Sequence, residues 1–330
     1  MKKTQKLKSI IAVRGIAVLL VMFCHFFSET ALDVKSARLN IATDTLGHMG
    51  VTLFFIVSGF VLPYSMYKTD YSFDRFPRYL YRRAVRIEPP YVASILLVLI
   101  GMSLKVLIGQ TVNYSGGAIG VITQLLYLNG LLGIPWLNVV YWTLALEFQF
   151  YLLIGVIFPF LKRFDFLQLS FGLLLLCSFK FLGMEFKWIS YFLPFFVAGY
   201  AFCAFKLEKI TLGQLISLII ICALFNLYRN DVLYSIMDII TVIVFAVLFC
   251  LEKRGMFPRW LLFVGEISYS IYLVHNIIVF GICVLNPLHL GLKIRIVICF
   301  LALIIAIWPS YLFYKYVEKP FHLNAQKMKR

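Results

Sequence analysis

Residues Ile10 to Phe27 read IIAVRGIAVLLVMFCHFF. The stretch is long and apolar enough to cross a bilayer as a helix. It nevertheless carries Arg14 and His25, and an ionisable side chain inside a span costs a few kcal/mol, so each is a candidate functional group. Eleven residues separate the two, about three helical turns, which puts them on one face with a rise of roughly 16 Å between them. Taken alone, the pair also fits two side chains reaching opposite membrane surfaces.

Working outward, the 330 residues are 62% hydrophobic and 14% charged, with a mean hydropathy of +0.90. Such a composition excludes a soluble domain and implies an all-α, polytopic transmembrane helix bundle. The alternation of a β-barrel is absent. About ten spans follow from the 20-residue criterion, near 10–27, 49–67, 91–109, 140–161, 166–182, 188–205, 211–228, 232–251, 261–284 and 292–316. The shorter apolar piece 118–132 suits a re-entrant or interfacial helix. No soluble domain or repeat interrupts the chain, so 1–330 reads as one integral-membrane domain.

The formal charge of +16 does not point to nucleic acid, because the basic residues cluster in short segments between apolar runs. With both termini in the cytoplasm, one side holds Lys2, Lys3, Lys6, Lys8, Lys68, the arginines from Arg75 to Arg86, Lys162, Arg163, Lys206, Lys209, Lys253, Arg254, Arg259 and the basic tail from Lys315 to Arg330. The other side holds Lys35, Arg38, Lys180, Lys187, Arg229, Lys293 and Arg295. The excess is about threefold, and the opposite orientation would invert it, so both termini are expected on the cytoplasmic side of the lipid bilayer. The seven cysteines lie in apolar runs without metal-ligand spacing and read as small buried hydrophobes. No metal site is expected. Arg14 interrupts the apolar run and no cleavage site follows, so the first segment reads as a retained span.

Several stretches carry chemistry. RRAVRIEPPY places Arg82, Arg83 and Arg86 before Pro89 and Pro90, which should restrict the chain ahead of the third span. Arginine forks match phosphate oxygens, so the cluster suits a phosphorylated cofactor, acidic headgroups, or a topology signal alone. YWTLALEFQFY carries Glu147 about 10 Å inside the fourth span, where a carboxylate needs a partner or a proton. His25 lies at similar depth, and a carboxylate beside an imidazole orients it and raises its basicity. GEISYSIYLVH puts Ser268, Tyr272 and His275 on one helix face, which favours a polar cavity or hydrogen bonding between helices. In GHMGVTLFFIVSGF, Gly47, Gly50 and Gly59 permit close helix approach and Ser58 can bond across helices, while His48 should be solvated. In YKYVEKP, Pro320 should stop the last helix and Lys319 could add to a phosphate site. The segment 109–139, with Asn113, Tyr114, Asn129, Trp136 and Asn138, suits a neutral ligand such as a sugar or the lipid interface.

Together these pieces resemble the acyltransferase-3 family of bacterial integral-membrane acyltransferases. The resemblance rests on Arg14 with ten residues before His25, GVxxFFxxSGF around Ser58, and RxxRIxPxY from Arg83 to Tyr91. It continues through W[ST]LxxExxFY from Trp142 to Tyr151, SYxxYLxH from Ser268 to His275, and the final EKP. It departs only in having Thr143 where serine is commoner. The resemblance implies a catalytic first-span histidine and O-acylation, often acetyl transfer from cytoplasmic acetyl-CoA to an envelope or exported carbohydrate or glycolipid. Some members carry a fused esterase-like domain; the end at Arg330 resembles the stand-alone type, which commonly modifies lipopolysaccharide O-antigen or exopolysaccharide, while others acylate small molecules. The expected roles are therefore His25 and Glu147 in catalysis and Arg14, Arg82, Arg83, Arg86 and Lys319 at the acyl-CoA phosphates. Ser58, Trp142, Tyr151, Ser268, Tyr272 and His275 would line the cavity. A glycan or lipid-linked-sugar flippase is the alternative, since it too would use charged groups inside a bundle.

Overall fold

The computed structural model describes residues 7–28, 37–112, 114–163, 166–178, 188–227, 232–284 and 290–328. Lys2, Lys3, Lys6, Lys35, Asn113, Lys180, Lys187 and Arg229 lie outside them, as do the side chains of Arg38, Cys177 and Cys283. Every regular element among the described residues is helical. The longer ones are α1 Lys8–Phe26, α2 Ala37–Lys68, α3 Phe76–Leu107 and α6 Tyr141–Leu161. Short α4 Gly117–Leu125 and α5 Asn129–Leu132 lie between the last two. Then come α7 Phe166–Ser178, α8 Leu193–Lys206, α9 Leu212–Leu227, α10 Val232–Cys250, α11 Arg259–Glu266, α12 Ser268–Val284, α13 Leu292–Phe313 and α14 Lys319–Lys327.

Among the described residues, six helical stretches are long and apolar enough to cross a membrane, or seven if the pair α11 and α12, bent by 77°, is one span. Each of the ten expected segments contains a helix. Of these, α8 has 14 residues, short of the roughly 20 that a bilayer core asks for. The stretch 118–132, expected as a re-entrant or interfacial helix, is two short helices held by Asn129. Its Nδ2 donates to the carbonyls of Gly120 and Pro135, each at 3.0 Å, and its Oδ1 accepts from Thr123 at 2.7 Å.

Three prolines act differently from expectation. Pro89 and Pro90 lie inside α3, which runs unbroken through them. Each removes one ladder hydrogen bond, leaving the carbonyls of Val85 and Arg86 without a helical donor; one residue on, the Tyr269 hydroxyl donates to the Ile87 carbonyl at 3.0 Å. Pro320 does not stop the last helix, which continues through it to Lys327. A π-helical stretch, Tyr314–Glu318, joins α13 to α14.

The chain divides into two compact units. One comprises Met1–Arg14, Val51–Leu80 and Ala145–Phe257. Its centre is α8, buried on every side from Leu193 to Ala204, as an all-apolar helix must be. Phe196 packs on Phe150 at 4.1 Å and Phe55 at 4.8 Å, and Phe202 on Phe245 at 4.9 Å. The second half of α2 crosses α8 with glycine on glycine. A methyl group on Gly59 would overlap the Phe196 carbonyl, and one on Gly199 would lie 2.8 Å from the Phe60 nitrogen. The start of α1 is capped from far along the chain: the Glu252 carboxylate accepts the backbone N–H groups of Lys8, at 3.2 Å, and Ser9. Those donors are orphans of the first helical turn, and a negative charge suits that end of the dipole. Lys162 pairs with Asp70 beyond the ends of α6 and α2, and holds its carboxyl below the usual carboxylate range.

The other unit comprises Gly15–Gly50, Tyr81–Leu144 and Pro258–Arg330. Tyr91 and Ser94 of α3 reach across to α4 and α6, with Tyr91 Oη on the Gln124 carbonyl at 3.0 Å and Ser94 Oγ 2.9 Å from Tyr141 Oη. Gln124 Oε1 in turn accepts the Leu137 N–H at 2.9 Å. The segment after α3 is thus anchored by buried polar groups, while Ile119 and Ile122 stay exposed. Of the cysteines, Cys203, Cys222 and Cys299 are buried as expected, Cys24 is half-buried and Cys250 is exposed. Cys250 ends α10 on a face away from the core.

Gly199→Ala should lower thermal stability in detergent by about 1–3 kcal/mol, because the added methyl meets backbone that cannot yield. Gly172→Ala, at a site with nothing within 4 Å, is the control and should leave the melting temperature unchanged.

Candidate functional site

The first span holds its chemistry against α11 and α12. A methyl group on Gly15 would lie 2.7 Å from the Leu261 carbonyl oxygen and 3.3 Å from the Gly265 nitrogen, so α11 crosses α1 in close contact there. Ten residues on, His25 meets His275, which is also ten residues beyond Gly265, with ring centroids 5.3 Å apart. The two strands of helix therefore climb in the same direction from the glycine contact to the histidine contact, about 15 Å along α1. The bend at Ile267 lets α12 follow α1.

His275 is fully buried. Its Nδ1 lies 3.0 Å from the Ile271 carbonyl, one turn back. A carbonyl only accepts, so Nδ1 carries the proton and Nε2 presents a lone pair. Nε2 has no hydrogen-bond partner among the described residues. Tyr272 stands beside His275, its ring 5.9 Å away, and its hydroxyl meets Thr143 Oγ1 at 2.6 Å and the Val140 carbonyl at 3.2 Å. The hydroxyl of Thr143 thus does the work that a serine hydroxyl would do. Asn276 Nδ2 donates to Asn138 Oδ1 at 2.8 Å, and that oxygen also accepts the Val140 N–H at 3.3 Å. His25, His275, Tyr272, Thr143, Asn138 and Asn276 so form one connected polar network inside an apolar bundle. Ser268 is fully buried at the start of α12. Trp142 is half-buried beside Thr143.

Glu147 belongs to the other unit, where its environment is defined. Its Oε1 accepts from Ser58 Oγ at 2.7 Å and from Tyr151 Oη at 2.6 Å. Oε2 takes no hydrogen bond among the described residues. Ser58, expected at the cavity wall, is thus a donor to the carboxylate, and so is Tyr151. The SGF triplet gains three separate uses. Ser58 holds Glu147, Gly59 makes the crossing with α8, and Phe60 is buried against Phe245 and Phe249.

The arginines Arg82, Arg83 and Arg86 are half-buried on α3 rather than in a loop. The Tyr269–Ile87 bond sets the start of α12 beside them, and Ser270 Oγ donates to Glu318 Oε2 at 2.6 Å. Three motifs therefore converge: the arginine turn, the SY at the head of α12, and the terminal EKP. Within that last motif it is Glu318 that is buried, whereas Lys319 is exposed. Arg14 is half-buried on α1.

Sequence reasoning missed four polar positions. Glu318 was passed over for Lys319, although an acid beside a serine-bearing helix start is the more costly group to bury. Asn276 was hidden next to His275. Glu252 gave no local signal, because the helix end it caps lies 244 residues away. Asp238 was detectable as a lone acid in the apolar run of α10, and it is buried on one face with Ser235 and Thr241. No group of three or more His, Cys, Asp or Glu with metal-holding geometry occurs among the described residues.

A family described as an acyltransferase domain, acyltransferase-3, matches residues 7–320, nearly the whole chain and both units. The acyltransferase MdmB of Streptomyces mycarofaciens is 34% identical over 158 residues, 44% of this chain and 38% of that protein. The similarity thus spans well under half the length of that relative. No solved structure matches. The family match, carried in order by all the motifs whose side chains are placed above, shows that the chain belongs to the acyltransferase-3 family.

Proposed function

We propose that this protein is a membrane-bound O-acyltransferase that moves an acyl group, acetyl in the simplest case, from cytoplasmic acyl-CoA to a hydroxyl of a cell-envelope or exported carbohydrate. The observation that carries the reading is His25 beside His275 within a buried polar network, in a chain of an acyltransferase family. A helix bundle keeps imidazoles, amides and hydroxyls together at such depth only at considerable cost, and they serve function rather than packing. Both termini lie in the cytoplasm in this reading, which follows the distribution of lysine and arginine and places the chain in the inner membrane.

His25 acts as the general base. It takes the proton of an acceptor hydroxyl; the oxygen attacks the thioester carbonyl; the C–S bond breaks; and the departing thiolate takes the proton back from the imidazolium. Glu147 is the carboxylate assigned to orient that imidazole. Ser58 and Tyr151 both donate to it and hold it in place. Arg82, Arg83 and Arg86, with Arg14 and Lys319, take the phosphates of the donor, for which arginine forks are suited. Trp142, Ser268 and Tyr272 shape the cavity between the two substrates.

His25→Ala should abolish acyl transfer while the protein still accumulates in the membrane; full activity in that variant, measured as acylated glycan by mass spectrometry, removes the catalytic assignment. Arg83→Ala with Arg86→Ala should weaken acyl-CoA binding at least tenfold, and unchanged binding by titration calorimetry returns those arginines to a topological role. Ser58→Ala should lower the rate by about tenfold and Ser58→Thr should restore it, since each donor to a carboxylate contributes about 1.5–3 kcal/mol at most.

A further inference from the structure

Two acceptor atoms of α12 stand open in the polar interior. His275 and Asn276 are both fully buried. The Ile271 and Tyr272 carbonyls face the His275 ring, with Nδ1 3.0 Å from the former, so Nδ1 carries the proton and Nε2 keeps its lone pair. Asn276 gives its Nδ2 to Asn138 Oδ1 at 2.8 Å. Asn138 is fixed in that orientation, because its oxygen also accepts the Val140 N–H and its amide nitrogen serves the Tyr141 hydroxyl. The remaining atom of Asn276, Oδ1, is therefore an acceptor as well. Neither His275 Nε2 nor Asn276 Oδ1 has a hydrogen-bond partner among the described residues. Buried polar atoms are nearly always paired, so this turn of α12 calls for a ligand that brings donors.

The two substrates differ in what they bring. The reacting end of an acyl donor, a thioester, offers a carbonyl oxygen and a sulfur and no hydrogen to donate. A carbohydrate offers hydroxyls, each a donor, on neighbouring carbons. We infer that the site takes its acceptor as a vicinal diol: one hydroxyl gives its proton to His25, and the hydroxyl on the adjacent carbon donates to His275 Nε2. The inference rests on the reading of this protein as an O-acyltransferase with His25 as its base. The spacing fits. The His25 and His275 ring centroids are 5.3 Å apart, and two neighbouring hydroxyl oxygens, each about 2.8 Å from a ring nitrogen, span such a pair. In the transfer the reacting oxygen forms the bond to the acyl carbon, its proton passes through His25 to the departing thiolate, and the second hydroxyl keeps its own proton on His275. The product is a monoester with a free hydroxyl beside the ester. His275 thus selects the acceptor and the position acylated, without itself taking the proton.

Acetyl transfer by the full-length protein in detergent tests this, with acetyl-CoA and three alcohols as probes: cis-1,2-cyclohexanediol, cyclohexanol, and cis-2-methoxycyclohexanol, whose second oxygen has no hydrogen to donate. The esters are measured by mass spectrometry. The wild-type chain should acylate the diol about tenfold faster per hydroxyl than either of the other two, the worth of one buried hydrogen bond. In His275→Leu that ratio should fall to about one, while His275→Gln, whose side-chain oxygen still accepts, should keep part of it. If the wild-type chain acylates no alcohol, the transferase reading falls and the diol site with it. If it acylates all three alike, or if His275→Leu keeps the preference, the diol site is overturned while the transferase reading stands. Loss of transfer to every alcohol in both variants makes His275 part of the chemistry rather than of acceptor choice, and overturns the proposal as well.

Discussion

The contact of α1 with α11 and α12 is the constraint on which the polar interior depends. It begins where Gly15 admits the Leu261 carbonyl and ends where His25 meets His275. Between these points both helices advance by the same number of residues, so changing the glycine contact shifts which side chain faces His25. A side chain larger than hydrogen at residue 15 would push the helices apart by more than a carbon–carbon contact can absorb. Everything that α12 brings, from the Ser270–Glu318 bond at its start to the Asn276–Asn138 bond two turns on, is set in height by this one approach.

Three carboxylates away from solvent are faced by hydroxyls: Glu147 by Ser58 and Tyr151, Glu318 by Ser270, and Glu88 by Tyr127. Hydroxyl donors satisfy a carboxylate without adding a second charge to be desolvated, which a lysine or arginine partner would require. Arg82, Arg83 and Arg86 on α3, with Arg14 and Arg295, are half-buried. The hydroxyls and amides of the interior are the kinds of group that can exchange one partner for another at little cost.

Much of this was legible in the sequence. Hydropathy locates the helices because every backbone group in a bilayer must be satisfied within its own segment. His25 and Glu147 stand out because charge in an apolar run is expensive. What hydropathy does not encode is which helix touches which. The neighbour of His25 is His275, 250 positions away, and neither residue carries a local mark of the other. The prolines misled for a related reason: Pro89 and Pro90 read as a boundary, yet α3 runs through them. Pro320 read as a stop, yet the helix passes through a π-helical stretch just before it and continues.

The cap on α1 has a consequence for how the chain is made. The carboxylate that satisfies the first N–H groups of α1 is Glu252, and the surfaces that bury α1 include Leu261, Gly265 and His275. All of these leave the ribosome more than two hundred residues after α1 does. Although α1 is made well before α11 and α12, it acquires its native neighbours only when they follow. Biogenesis thus has an interval in which α1, with Arg14 and His25, is present without the surfaces that bury it.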